Sequence, residues 1–208
     1  MKKKYQFCLS LTLGLLIFLL AMSGLRRKEE ALASRIAPEI LRFHVLANSD
    51  SAADQTLKLE VKDFILDKLQ TGLETEEAAS KEVICHYITV HKSALETAAE
   101  YYIKEQGFDY KVRVELAQCL FPEKTYGDMT FPAGTYDAVR VLIGQGKGKN
   151  FWCVLYPSLC YLDSTYAIVP ESSKNQLSAL LSEDDFQALL NARPVKIRFK
   201  LADWLKMK

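Results

Sequence analysis

Histidine is scarce in this chain, with three among 208 residues. His86 and His91 are five apart, not the four that sets two ligands on one helical face, and no HExxH occurs. None of the five cysteines shows the CxxC-type spacing of a zinc site. There is no GxSxG nucleophile elbow. The run Gly144–Asn150, GQGKGKN, has the composition of a phosphate loop, but a Walker A motif needs Ser or Thr after its Gly-Lys and a helix beyond it. Here Asn150 and a strand-forming segment follow, so the run reads as a turn. An excess of charge is missing too, since the formal net charge is +1. Six of the 27 basic and two of the 26 acidic residues fall in the first 30 positions, which leaves the remainder at −3. A mildly acidic body without a basic patch argues against nucleic-acid binding. Neither repeats nor low-complexity tracts occur. No metal, no cofactor and no small-molecule substrate is expected, and the chain is expected not to be an enzyme.

What the sequence does have begins at its N-terminus. Lys2, Lys3 and Lys4 precede an uncharged, strongly apolar run from Tyr5 to Leu25. A basic region followed by an apolar one is the layout of an export signal, and the run is also about as long as a membrane-spanning helix. Ala21 and Ser23 offer small residues at signal-peptidase spacing, as do Ala31 and Ala33 beyond the basic cluster Arg26–Lys28. Cleaved signal and uncleaved anchor both remain open. The expected division is signal or anchor at 1–25, a charged linker at 26–38, and one extracytoplasmic domain at 39–208, exported and either secreted or membrane-anchored.

Within that domain, residues 40–47 (ILRFHVLA) read as a first strand ended by Asn48-Ser49-Asp50. Ser51 and Asp54 form a capping-box-like start for a helix whose Leu57, Val61, Phe64, Ile65 and Leu69 share a face, with Gly72 as its stop. A second helix is expected from a Thr75 cap to Gly107, with Ile84, Ile88, His91, Leu95, Ala98 and Tyr102 on one stripe. Residues 110–117 alternate as a strand with one wet face. Residues 136–143 and 151–156 read as two strands joined by the Gly144–Asn150 loop. A short strand at 166–169, a helix over 174–191 broken at a Ser182 cap, and a last edge strand at 195–201 complete the pattern. The fold class expected is α+β, a mainly antiparallel sheet with helices packed on one face.

Cys153 and Cys160 flank the turn signal Pro157-Ser158. Centred between Tyr156 and Pro157, a turn would oppose them at a separation a disulfide accepts. Spacing alone leaves a disulfide and two buried thiols open. An export signal favours the disulfide, and Cys85 and Cys119 are left as buried thiols.

The polar residues worth singling out gather at strand ends, where binding residues tend to sit on a rigid scaffold. Arg42, His44, Asn48, Asp50 and Asp54 surround the first strand and its exit, and Lys147, Lys149 and Asn150 occupy the glycine loop. They are the candidate partner-contact residues. The alternative is an extracytoplasmic hydrolase with His44 and Asp50 as an acid/base pair, or a Cys–His pair of Cys153 with His44 or His91.

Two long segments carry a resemblance. Residues 42–63, RFHVLANSDSAADQTLKLEVKD, resemble the opening motif of the stage II sporulation protein R family. Residues 132–160, PAGTYDAVRVLIGQGKGKNFWCVLYPSLC, resemble its second signature, with Phe151 where a tryptophan is expected. The resemblance implies an intercompartmental signalling protein of sporulation. Such a protein is made in the forespore and exported into the space between forespore and mother cell. There it activates a membrane-embedded aspartic protease of the mother cell, which processes the precursor of sigma-E. The family supplies no catalytic residues to carry over.

Overall fold

The computed structural model describes residues 2–73, 80–160 and 168–191, without the side chains of residues 2–8, 11 and 25. In chain order the elements are α1 (Lys2–Ile36), a 3-10 turn (Ala37–Glu39), β1 (Leu41–Leu46), α2 (Ala52–Leu73), α3 (Lys81–Glu105), β2 (Val112–Phe121), β3 (Lys124–Tyr126), β4 (Met129–Phe131), β5 (Gly134–Ile143), β6 (Asn150–Tyr156), α4 (Glu171–Leu180) and α5 (Glu183–Asn191). The expected Thr75 cap, the 195–201 strand and the first half of the 166–169 strand lie outside the described residues. Ile168 and Val169 themselves are not in a strand.

The class is α+β, but the sheet is mixed rather than mainly antiparallel. Its order is β2-β5-β1-β6, with β1 parallel to β5 and antiparallel to β6. The strands on either side of the glycine loop are therefore not a hairpin, because β1 lies between them. Strand β1 is buried along nearly its whole length. A strand covered on both faces usually carries a continuous apolar run; residues 40–47 interrupt theirs with Arg42 and His44, which are buried all the same.

Helices cover both faces, not one. Leu41, Phe43 and Val45 join Val112, Val114, Val139, Val141 and Ile143 beneath Leu57, Val61 and Ile65 of α2 and Ile84, Ile88 and Leu95 of α3. On the other face Tyr136, Ala138 and Val154 pack with Phe121 and Phe131, with Leu32, Ala33 and Ile36 of α1, and with Leu177 of α4 and Leu189 of α5. Residues 26–36, expected as a linker, continue α1, and its last turns belong to this second core. Arg35 clamps it there, with Nη2 2.6 Å from Asp185 Oδ1. Further back, Leu13, Leu16, Phe18 and Leu20 are exposed. Among the described residues, no helix is long and apolar enough to cross a membrane.

Local signals behave as their chemistry demands. Ser51 Oγ accepts from Asp54 N at 3.2 Å, and Ser182 Oγ from Asp185 N at 3.2 Å, so both serines cap helices. Ser80 caps α3 by accepting from Val83 N. Gly72 lies inside α2 rather than ending it, and a Cβ there would collide with the Tyr87 hydroxyl of α3. His91, expected on the packed stripe, is exposed and stacks on Tyr87.

Cys153 and Cys160 form a disulfide with Cα atoms 5.2 Å apart. The link spans the turn after β6, which Leu159 N closes onto Val154 O at 3.0 Å, rather than joining two strands. Closing so short a loop stabilises by about 2 to 3 kcal/mol in the chain-entropy model. Cys160→Ala should lower the stability read from the urea midpoint by about that amount. Reductant should do the same to the parent and nothing to the variant. Cys85 and Cys119 are free and half-buried, and burial pushes both thiols up.

Candidate contact site at the ends of β1 and β5

Because β1 and β5 run parallel, their C-terminal ends lie side by side and the chain leaves both toward the same edge. That placement merges the two polar stretches of the sequence into one junction. The loop after β5 folds over the exit of β1: Lys147 N donates to Asn48 O at 3.3 Å and Gly148 N to Ala47 O at 2.9 Å. Two glycines allow the approach. Gly144 adopts φ +58°, and a Cβ on it would strike the Asn48 side chain; a Cβ on Gly148 would strike Ser49 O.

Side chains lock the junction. Asn48 Oδ1 accepts from Gln145 N at 3.0 Å, and Asp50 Oδ1 from Lys149 N at 2.7 Å. Asp54 sits beneath, buried, with Oδ2 accepting from Asn48 Nδ2 at 3.0 Å and Ser49 Oγ at 2.5 Å. Burial alone would raise its pKa. Hydrogen bonds from Ser49, Asn48, Tyr110 and Ser51 outweigh that and hold the carboxyl below its usual range. Lys58, also buried, reaches Gln55 Oε1 at 2.8 Å and Lys149 O at 3.3 Å. Burial pulls its ammonium down, and Asp50 partly opposes this.

Asn48, Asp50, Asp54, Lys149 and Asn150, which the sequence places in two separate stretches, thus come together, and most serve to hold the loop. The exposed residues of the junction are Asp50, Ser51, Gln145, Lys147, Lys149 and Asn150. Sequence reasoning missed Gln145, Gln55 and Lys58. Their signal was only a polar residue beside a strand exit, which many loop positions share.

His44 and Asp50 are not an acid/base pair. His44 Nε2 is 2.8 Å from Asn150 Oδ1, and Asp50 is engaged by the Lys149 amide. Burial pushes the imidazole pKa down; the Asn150 contact opposes this and Arg140 adds to it. A Cys–His pair is ruled out as well. Cys153 is oxidised, and it lines the opposite sheet face, opposing Phe43 while His44 opposes Trp152. Arg42 lies away from the junction. It is wholly buried, with its guanidinium carbon 4.5 Å from the Phe121 ring centroid, 5.3 Å from that of Tyr136 and 5.7 Å from that of Phe131. Among the described residues no cluster of His, Cys, Asp and Glu could hold a metal.

The stage II sporulation protein R family matches residues 37–166. The chain belongs to that family. The matched segment holds the whole four-stranded sheet, α2, α3, the junction and the disulfide. Stage II sporulation protein R of Bacillus subtilis (strain 168) is 30% identical over 91% of this chain and 93% of its own length. No solved structure matches the chain. Membership gives the protein a sporulation-related role, and neither the family's name nor the relative's denotes an enzymatic reaction.

Proposed function

We propose that the protein is an exported signal between the two compartments of a sporulating cell. It acts by binding and activating a membrane-embedded aspartic protease of the mother cell, which then processes the precursor of sigma-E. The observation that carries this reading is family membership over a segment containing the Cys153–Cys160 link and the junction. A disulfide suits a compartment outside the cytoplasm, and Lys2–Lys4 ahead of the apolar part of α1 suit export. Outside, that helix is cleaved or keeps the domain at the membrane.

Activation by contact needs differential affinity. A ligand moves an equilibrium only as far as it binds one state better than the other. A preorganised surface limits the ordering lost on binding, and the hydrogen bonds that fix Asp50, Lys147 and Lys149 onto the end of β1 supply such a surface. Removing residues 1–25 tests the reading. Precursor processing should stop in sporulating cells, while the purified domain still unfolds cooperatively. Normal processing by that truncated chain overturns export-dependent signalling.

A further inference from the structure

Five buried side-chain nitrogens have no hydrogen-bond partner among the described residues, and all lie on one face of the sheet: Arg42 Nε, Nη1 and Nη2, His44 Nδ1, and Arg140 Nε. Buried polar groups are almost always paired, so five orphans from three neighbouring side chains need a cause. Arg140 sits opposite His44 in register, and Arg42 is two residues from His44 on the same strand. The rings around Arg42 attract a cation but accept no conventional hydrogen bond. Phe121 touches both Arg42 and Trp152, whose ring centroid is 4.6 Å away, and Trp152 stacks on His44 at 3.6 Å. Trp152 and Arg140 are half-buried, so the cluster reaches the surface at those two residues.

A positive charge buried without an acceptor does not stabilise a fold, and an apolar side chain of similar size would pack there at least as well. We infer that Arg42 and Arg140, with His44 between them, form a binding site for a carboxylate presented by an acidic side chain of the protein's partner. A guanidinium fork matches the two oxygens of a carboxylate. Glu115, already 2.6 Å from Arg140 Nη1, opposes a doubly charged phosphate more than a single carboxylate. Entry of the ligand shifts Trp152 off His44. The source of the carboxylate rests on the signalling reading above; the site itself does not.

The sequence has two tryptophans, and Trp204→Phe leaves Trp152 as the reporter. The otherwise intact chain is titrated, at constant ionic strength, with blocked aspartate, blocked asparagine and inorganic phosphate while Trp152 emission is followed. Saturation by blocked aspartate alone is the expected result. Affinity should fall about tenfold or more in Arg42→Met and in Arg140→Met, as loss of a charged hydrogen-bond partner implies. Arg42→Met should melt no lower than the parent. Arg140→Met, at a half-buried position, keeps the test open if Arg42→Met does not fold. No saturable response, equal affinity in the variants, or tighter binding of phosphate than of aspartate overturns the site. These readouts need no protease, so they can fail while the signalling reading stands. Full precursor processing by an Arg42→Met chain that no longer binds aspartate overturns the assignment of the carboxylate to the signalling partner.

Discussion

A chain beginning at residue 34 should be less stable than one beginning at residue 24 by about 3 to 6 kcal/mol, against a typical total of about 5 to 15. Both starts follow from the two small-residue motifs near the N-terminus: a cut after Ser23 or a cut after Ala33. The first leaves the last turns of α1 whole. The second removes Leu32 and Ala33, which are buried, and leaves Ser34, Arg35 and Ile36 too short to form a stable helical turn. Ile36 is fully buried, and losing its hold on the second core has the effect of a large-to-small substitution. The Arg35–Asp185 pair loses its support as well. Urea unfolding of the two chains measures the difference. Equal midpoints would mean that α1 merely rests on the sheet. Of the two cuts, only the one after Ser23 would leave Leu32, Ala33 and Ile36 in place in this core.

Asp54→Asn is the second large effect. The buried carboxylate accepts from Asn48 Nδ2 and Ser49 Oγ at Oδ2, besides the bonds from Tyr110 and Ser51, and hydrogen bonds to a charged group contribute about 1.5 to 3 kcal/mol each. The amide keeps the shape, but Asn48 Nδ2 and Ser49 Oγ, which share Oδ2, then meet a neutral oxygen, and an NH2 group replaces the other acceptor. A loss of about 2 to 4 kcal/mol should follow. Asn48 then ceases to be fixed, and it holds Gln145 N. Amide exchange at Gln145, Lys147 and Gly148 should accelerate while that of Val139 and Val141 in β5 follows only the global change. Equal acceleration everywhere would show that Asp54 supports the fold without positioning the loop. The pH dependence has a definite sign. A carboxyl whose folded pKa is depressed contributes stability above its unfolded value of about 3.9, and that contribution disappears as pH falls through the folded value. The parent should therefore lose stability on acidification below about pH 4 more steeply than Asp54→Asn.

Legibility in the sequence followed the range of the interaction. The serine caps at 51 and 182 act on an amide three residues on, so spacing was sufficient to place them. The Cys153–Cys160 link spans seven residues around a proline turn, and its geometry could be judged from the turn alone. The neighbours of β5 and β6 could not. Backbone hydrogen bonding is blind to sequence, so two strands flanking a glycine loop read as a hairpin until something better fits between them. Strand β1 does, since Leu41, Phe43 and Val45 fill the first core while Arg42 and His44 pack among the aromatic rings of the other face. The charged stretch at 26–30 hid the end of α1 for a similar reason: Leu32, Ala33 and Ile36 are too few to announce a buried turn, and their partners lie more than 80 residues away. Arg42 reads in the sequence as one of the polar residues around the first strand and its exit, whereas its side chain points into the aromatic core. A guanidinium two residues from a histidine gives no sign of how many rings will surround it.

By itself the sequence determined most of the helical and extended segments, that Cys153 and Cys160 can meet, and which family the chain resembles. Each of these is settled by periodicity, capping or motif within a few dozen residues. Only the tertiary structure decided that β1 runs parallel to β5, that helices cover both faces, and that Asn48–Asp54 and Gly144–Asn150 form one junction. The physical reason is that these depend on packing between segments about 100 residues apart, where the burial of shared apolar surface selects the neighbour and no local pattern records the choice.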